Sequence, residues 1–211
     1  MKIGIIGSGM IGGTLTKLFA RSGHEVAVAN SRGPDTLGDL VAEAGEGARA
    51  TTVEEAADFA DLVVIAVPVV AYDGLPADRF EGKVVVDAGN YYPARDGQIE
   101  SLDSDSTTST ELLGERLHGA RLVKAFNTMN FRPLGEEGQP DAPREQRLAI
   151  FLAGDDEQAK GTVAGLIDEL GFAPVDTGAL AEGGRRQQPG APVYNNPMRA
   201  EEAEAALGGA R

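Results

Sequence analysis

Gly7-Ser8-Gly9-Met10-Ile11-Gly12 decides how the chain is read. Before it, residues 2–6 are a short apolar run; after it, Ile11, Leu15 and Leu18 recur at helical spacing, and residues 25–29 form a second apolar, β-branched run. Strand, glycine turn, helix and strand in that order predict the opening of a βαβ unit. In that setting each glycine has a physical task. Gly7 permits the tight turn, Gly9 lets the backbone approach a pyrophosphate, and Gly12 allows the helix to lie close to the strand. Backbone N–H groups around Ser8, Met10 and Ile11 then face an anion, aided by the helix dipole. A glycine-rich turn with no ligand is the competing reading.

The second run ends Val28-Ala29-Asn30-Ser31-Arg32, about 20 residues beyond the glycine motif, where an NAD site carries an acidic residue for the ribose. Asn30, Ser31 and Arg32 instead suit the 2′-phosphate of NADP(H).

Farther along, strands are expected near 48–50, at Leu62–Val67, at Val84–Val86, at Leu122–Phe126, at Leu148–Leu152 and at 173–176. Thr52-x-x-Glu55 and Thr108-x-x-Glu111 are capping boxes that open helices, and Asp155-x-x-Gln158 starts another that Gly171 ends. Residues 131–147 are expected to be a polar loop, with a short helix at Arg199–Leu207. The pattern predicts a Rossmann-type, doubly wound, mainly parallel α/β sheet over residues 1–182, with a polar tail over 183–211.

Of 211 residues none is cysteine, which excludes disulfides and thiolate chemistry, and the two histidines, His24 and His118, are too far apart to suggest a metal cluster. Both read as solvated turn residues, and Lys124 as an end-of-sheet or surface residue. A formal charge of −14 argues against nucleic acid and anionic membranes, so a dinucleotide must be held by local donors. No apolar stretch approaches a membrane span and no leader pattern precedes residue 2, so a cytoplasmic protein is expected.

Taken together, Gly7–Gly12, Asn30-Ser31-Arg32, Ala66-Val67-Pro68, Asp87-Ala88-Gly89-Asn90-Tyr91-Tyr92-Pro93, Val123–Thr128 and Ala153-Gly154-Asp155-Asp156 resemble the NADPH-dependent reductases of the deazaflavin coenzyme F420. The later part is also similar to the oxidoreductase domain of the STEAP metalloreductases, which uses a flavin. The resemblance implies NADP(H) held by the glycine motif, Asn30–Arg32, Ala66, Val67, Pro68, Ala88, Gly89 and Asn90. It implies a deazaflavin or flavin ring near Val69, Tyr91, Asn127, Thr128 and Met129, in a homodimer. The resemblance breaks in the tail, where archaeal members carry an apolar helix and this chain reads Arg185-Arg186-Gln187-Gln188 and Tyr194-Asn195-Asn196-Pro197.

The chemistry expected is direct hydride transfer between two rings, which requires positioning rather than a catalytic acid or base. An NADPH-dependent imine or small-carbonyl reductase and a non-catalytic NADP sensor are the alternatives.

Overall fold

The computed structural model describes residues 1–208. Strands β1 (Lys2–Ile6), β2 (Glu25–Ala29), β3 (Ala48–Ala50), β4 (Leu62–Ile65), β5 (Val84–Asp87), β6 (Arg121–Ala125), β7 (Ala149–Gly154) and β8 (Ala173–Asp176) form one sheet. Its order is β3-β2-β1-β4-β5-β6-β7-β8. Neighbours from β3 through to β6 are parallel, β7 runs antiparallel to β6, and β8 is again parallel to β7. The expected class is therefore found, and β4 is shorter than expected: Pro68 follows a loop that begins at Ala66.

The apolar runs bury both faces, as they must in a sheet covered by helices on each side. Ile3, Ile5, Val64 and Val86 belong to one core, whereas Ile6, Val63, Ile65 and Val85 belong to the other, which is the period-two alternation of a strand. Helix α1 (Met10–Arg21) places Leu15 and Phe19 in the first core. Helix α2 (Gly38–Ala44) leads to β3, and α3 (Val53–Phe59) covers the opposite face, opened by the full Thr52/Glu55 capping box. Short helices α4 (Pro93–Asp96) and α5 (Glu100–Asp103) precede α6 (Ser109–Arg116), which starts at the equally complete Thr108/Glu111 box and buries Leu113 in the second core.

The segment expected as a loop after β6 contains helix α7 (Phe131–Glu136), capped by Asn130 and buried through Leu134, and a 3-10 turn at Arg144–Gln146. Its Pro and Gly residues obscured a helix that is only six residues long. Helix α8 (Glu157–Glu169) is capped by Asp156 rather than Asp155 and puts Ala159, Val163, Leu166 and Ile167 in the first core. Helices α9 (Leu180–Arg185) and α10 (Ala200–Gly208) complete the described chain. Between and beyond them, Val193, Met198 and Ala203 pack with Ala149, Phe151 and Val175 of β7 and β8.

No helix among the described residues is long and apolar enough to cross a membrane.

Candidate functional site

The strand order turns back on itself at β1 and β4, and ligands of open parallel sheets bind at the carboxyl edge beside such a switch point. A cleft of about 380 Å³ opens there. It is walled by Gly9, Met10 and Ile11 after β1, by Ala66, Val67 and Pro68 after β4, by Ala88, Gly89, Asn90, Tyr92 and Arg95 after β5, and by Asn127, Met129, Asn130 and Phe131 after β6. Tyr194 and Asn195 close it from the C-terminal segment.

The glycine loop divides its work. Gly7 has φ +111°, and a side chain there would strike the Ala66 carbonyl; one at Gly12 would strike the Gly7 carbonyl. These two glycines hold β1, α1 and the β4 loop together. Gly9 differs: its backbone is extended, φ −70° and ψ −168°, and a Cβ built on it meets nothing within 4 Å. It is the N-cap of α1, whose first turn carries no acidic side chain, so the N–H groups and the positive end of the dipole are free for an anion.

Asn30 joins this loop to the end of β2. Its Nδ2 donates to Ser8 Oγ and Thr36 Oγ1, both at 3.0 Å, and its Oδ1 accepts the Arg32 N–H at 2.9 Å. Ser31 and Arg32 are exposed, and the Arg32 guanidinium has no carboxylate partner among the described residues. Thr36, which stabilises this turn, carried no signal in the sequence beyond its place after Gly33-Pro34.

Under the β5 loop lies a buried ion pair. Lys124 Nζ is 3.0 Å from Asp87 Oδ2, with side chains 3% and 0% exposed. The two residues are register neighbours on β5 and β6. Lys124 also donates to the Gly89 carbonyl at 2.5 Å and to Ser109 Oγ at 3.3 Å. Asp87 in turn accepts from Tyr72 Oη, the Gly89 N–H and Thr110 Oγ1. Every polar atom of the pair is thereby satisfied, which is what makes a buried charge pair tolerable. Burial, then the Asp87 charge, push the Tyr72 phenol well above its ordinary pKa, so it remains a donor. Lys124 is therefore no surface residue; two opposite charges placed in adjacent apolar strands were the available signal. His24 is likewise 9% exposed, its ring between the N-terminal amine at 3.1 Å and Glu169 at 3.2 Å, rather than solvated.

Three residues expected near the second ring do not line this cleft. Pro68 sends the chain into a 3-10 turn that buries Val69 in the core, and Thr128 is buried, offering its carbonyl to Asn195 N at 2.8 Å. Tyr91 turns away: its phenol lies 2.8 Å from Asp103 Oδ1 and accepts the Ile99 N–H, and it lines a neighbouring cavity instead. Tyr92 takes the place expected of Tyr91. Its hydroxyl is hydrogen-bonded to that of Tyr194, and the Arg95 guanidinium lies 4.9 Å from its ring centroid. Burial and the Tyr92 partner push the Tyr194 phenol up strongly. Beneath them, burial opposes ionisation of Asp96, but hydrogen bonds from Arg95 and the Tyr92 N–H outweigh it and hold the carboxyl below its ordinary value.

Asn90 and Asn127 are tied to each other. Asn90 Nδ2 donates to the Asn127 carbonyl at 2.9 Å, and Asn127 Nδ2 donates to Asn90 Oδ1 at 3.1 Å and to the Gln187 carbonyl at 2.9 Å. Phe126, just before, is buried at φ +64°, a conformation that costs a bulky residue about 1–3 kcal/mol and marks a turn over-determined by its surroundings.

A mainly parallel sheet with a glycine turn and a cleft at its switch point defines a Rossmann-type dinucleotide-binding protein. Residues 2–91 match the family described as NADP oxidoreductase coenzyme F420-dependent. The chain is similar to the hypothetical protein SMa0349 of Sinorhizobium meliloti, with a TM-score of 0.82 and 35% identity over 94% of this chain and 95% of that one. A candidate F420-dependent NADP-reductase from Arthrobacter sp. FB24 superposes with a TM-score of 0.74 at 26% identity, covering 89% and 90%. Metalloreductase STEAP3 of Rattus norvegicus is 31% identical over 182 residues, 85% of this chain and 34% of that protein. The chain thus spans about a third of the length of the curated relatives it matches. The family match covers residues 2–91, which open the sheet and carry the glycine loop, and the likeness to the two solved structures extends over most of the chain.

Proposed function

We propose that the chain transfers a hydride between NADP(H) and a deazaflavin such as coenzyme F420, or a flavin. One observation carries the reading: a single cleft runs from the open face of Gly9 to Asn127 and Met129, joining the glycine loop to the loops of β4, β5 and β6. The adenosine side lies toward β2, where Arg32 and the Ser31 hydroxyl are the donors for a 2′-phosphate. The Gly9 loop and the N-terminus of α1 hold the diphosphate locally, against a net charge of −14. Asn30 keeps Ser8 and the Arg32 backbone in register, so the donors are set before binding.

When bound, the two coenzymes supply the redox chemistry themselves. The protein's part is to orient the rings and exclude water. Met10, Ile11, Pro68, Met129 and Phe131 supply apolar walls, while Tyr92 and Tyr194 offer flat faces at the tail side. The hydroxyl pair of those tyrosines, with Tyr194 pushed far up, is a hydrogen-bonding group and not a base at neutral pH.

The test is a panel of acceptors, coenzyme F420, FMN, FAD, riboflavin and small imines, with NADPH as common donor and its absorbance as readout. Fast oxidation by F420 or a flavin is expected. Oxidation by imines alone would favour the imine reductase reading, and tight NADPH binding with no oxidation by any acceptor would favour a sensor. The resemblance also carries a homodimer, which sedimentation velocity checks.

A further inference from the structure

Among the described residues, two buried side-chain polar atoms have no hydrogen-bond partner, Asn127 Oδ1 and Gln187 Oε1. Of these two residues only Asn127 lines the cleft. A buried acceptor without a donor calls for an explanation, because the loss of its hydration is uncompensated.

An asparagine amide can ordinarily be turned round to exchange its nitrogen and oxygen. Here it cannot. The atom facing the Gln187 carbonyl at 2.9 Å must be the nitrogen, since a carbonyl only accepts. The same nitrogen donates to Asn90 Oδ1, and the Asn90 amide is itself fixed by its donation to the Asn127 carbonyl. Two backbone carbonyls therefore lock both amides, and the third position, Oδ1, is an acceptor held in place with both N–H groups of its own amide already engaged. Asn127 as a whole is 4% exposed, follows the strained Phe126 and is anchored to the segment that brings Tyr194 into the wall.

We infer that Asn127 Oδ1 accepts an N–H of the nicotinamide carboxamide and thereby fixes the orientation of that ring. The inference rests on the NADP reading of the cleft. With the glycine loop at β1, an extended dinucleotide sends one end toward β2 and the other past β4 and β5 to β6. The adenosine end belongs with Arg32. The end arriving at Asn127 is the nicotinamide half, whose carboxamide carries a neutral N–H donor that matches a neutral, fixed acceptor. The ring imide N–H of a flavin or deazaflavin has the same donor chemistry and is the alternative source.

Calorimetric titration of the intact protein with NADP⁺ and with its 3-acetylpyridine analogue, where a methyl replaces the carboxamide N–H₂, separates these. Wild type should bind the analogue about tenfold or more weakly, the scale of one lost hydrogen bond to a fixed buried acceptor. Asn127→Ala should bind the two about equally. Equal binding of both ligands by wild type, or a preference that persists unchanged in Asn127→Ala, overturns the assignment. So does loss of FMN or F420 binding in the variant while NADP⁺ discrimination is kept, which would give the acceptor to the second ring. Should Asn127→Ala fail to fold, a crystal structure of wild type with NADP⁺ decides: the carboxamide nitrogen within hydrogen-bond distance of Oδ1 supports it, and a carboxamide turned elsewhere with only water at Oδ1 overturns it. Failure of wild type to bind NADP⁺ at all would remove the functional reading as well.

Discussion

Lys124 Nζ reaches over the end of β5 to bond both the Asp87 carboxylate and the Gly89 carbonyl, so one buried ammonium sets the path of the loop that carries Asn90. Lys124→Met removes the positive partner and leaves a carboxylate with 0% side-chain exposure. The expected loss is about 3–5 kcal/mol of unfolding free energy, measured by urea denaturation. A loss below about 1 kcal/mol would show that the surrounding hydroxyls alone suffice.

On the proposed reading, selectivity for the 2′-phosphate resides in Arg32. Arg32→Ala should raise the NADPH dissociation constant by about tenfold to a hundredfold, the scale of a charge-assisted hydrogen bond, and change NADH binding little. Equal effects on both coenzymes would take the phosphate away from this residue.

Gly9 and Gly12 should separate binding from folding. At Gly9 the extended backbone accepts a β-branched residue and no atom opposes the new side chain, so Gly9→Val should cost the free protein less than about 1 kcal/mol while it strongly weakens NADPH binding. Gly12→Ala collides with the Gly7 carbonyl and should destabilise the free protein by about 1–3 kcal/mol. Thermal melts and NADPH titrations on both variants check the pair; a Gly9→Val protein that binds normally would mean that the loop does not cradle the diphosphate.

Asp156 supplies an acid-dependent part of the stability. The Arg121 side chain at 2.6 Å, then the Ala159 N–H, hold its carboxyl well below the ordinary value. Because the folded value is the lower one, the stabilisation is complete above the unfolded value near about 3.9 and is lost as pH falls through the folded value. Asp156→Asn keeps a competent helix cap but drops the charge. Its melting temperature should lie below wild type by a constant amount from pH 7 to 5, and the gap should close in more acidic solution.

Strands were legible because their residues obey a simple rule: Leu62–Ile65 and Val84–Val86 are apolar on both faces, as a strand covered by helices on each side requires. The glycine loop was equally legible, since Gly7 and Gly12 are demanded by backbone collisions that any side chain would cause. The antiparallel insertion of β7 left no local trace, because strand direction is set by the path of α7 and the chain after it rather than by composition. Tyr92 and Tyr91 could not be told apart, for the choice depends on Asp103 of α5 and the N–H of its cap Ile99, which capture Tyr91. Nor did the polar letters of the tail reveal Tyr194, whose place is fixed by contacts of Val193 and Met198 with β7 and β8 far away in sequence.

The seating of Val193 and Met198 on the sheet edge has a consequence for how such a site can be rewritten. The glycine loop and Arg32 lie in the first 32 residues, whereas Tyr194 and Asn195 arrive on a separate stretch between α9 and α10, held by the apolar contacts of Val193 and Met198, by the Thr128 carbonyl and by Gln187, which ties it to Asn127 and Thr177. Exchanging Tyr194, Asn195 and Asn196 while leaving Gln187, Val193 and Met198 in place alters that wall of the cleft without touching the glycine loop or the ion pair beneath Asn90, so the late wall can change while the opening loop is preserved.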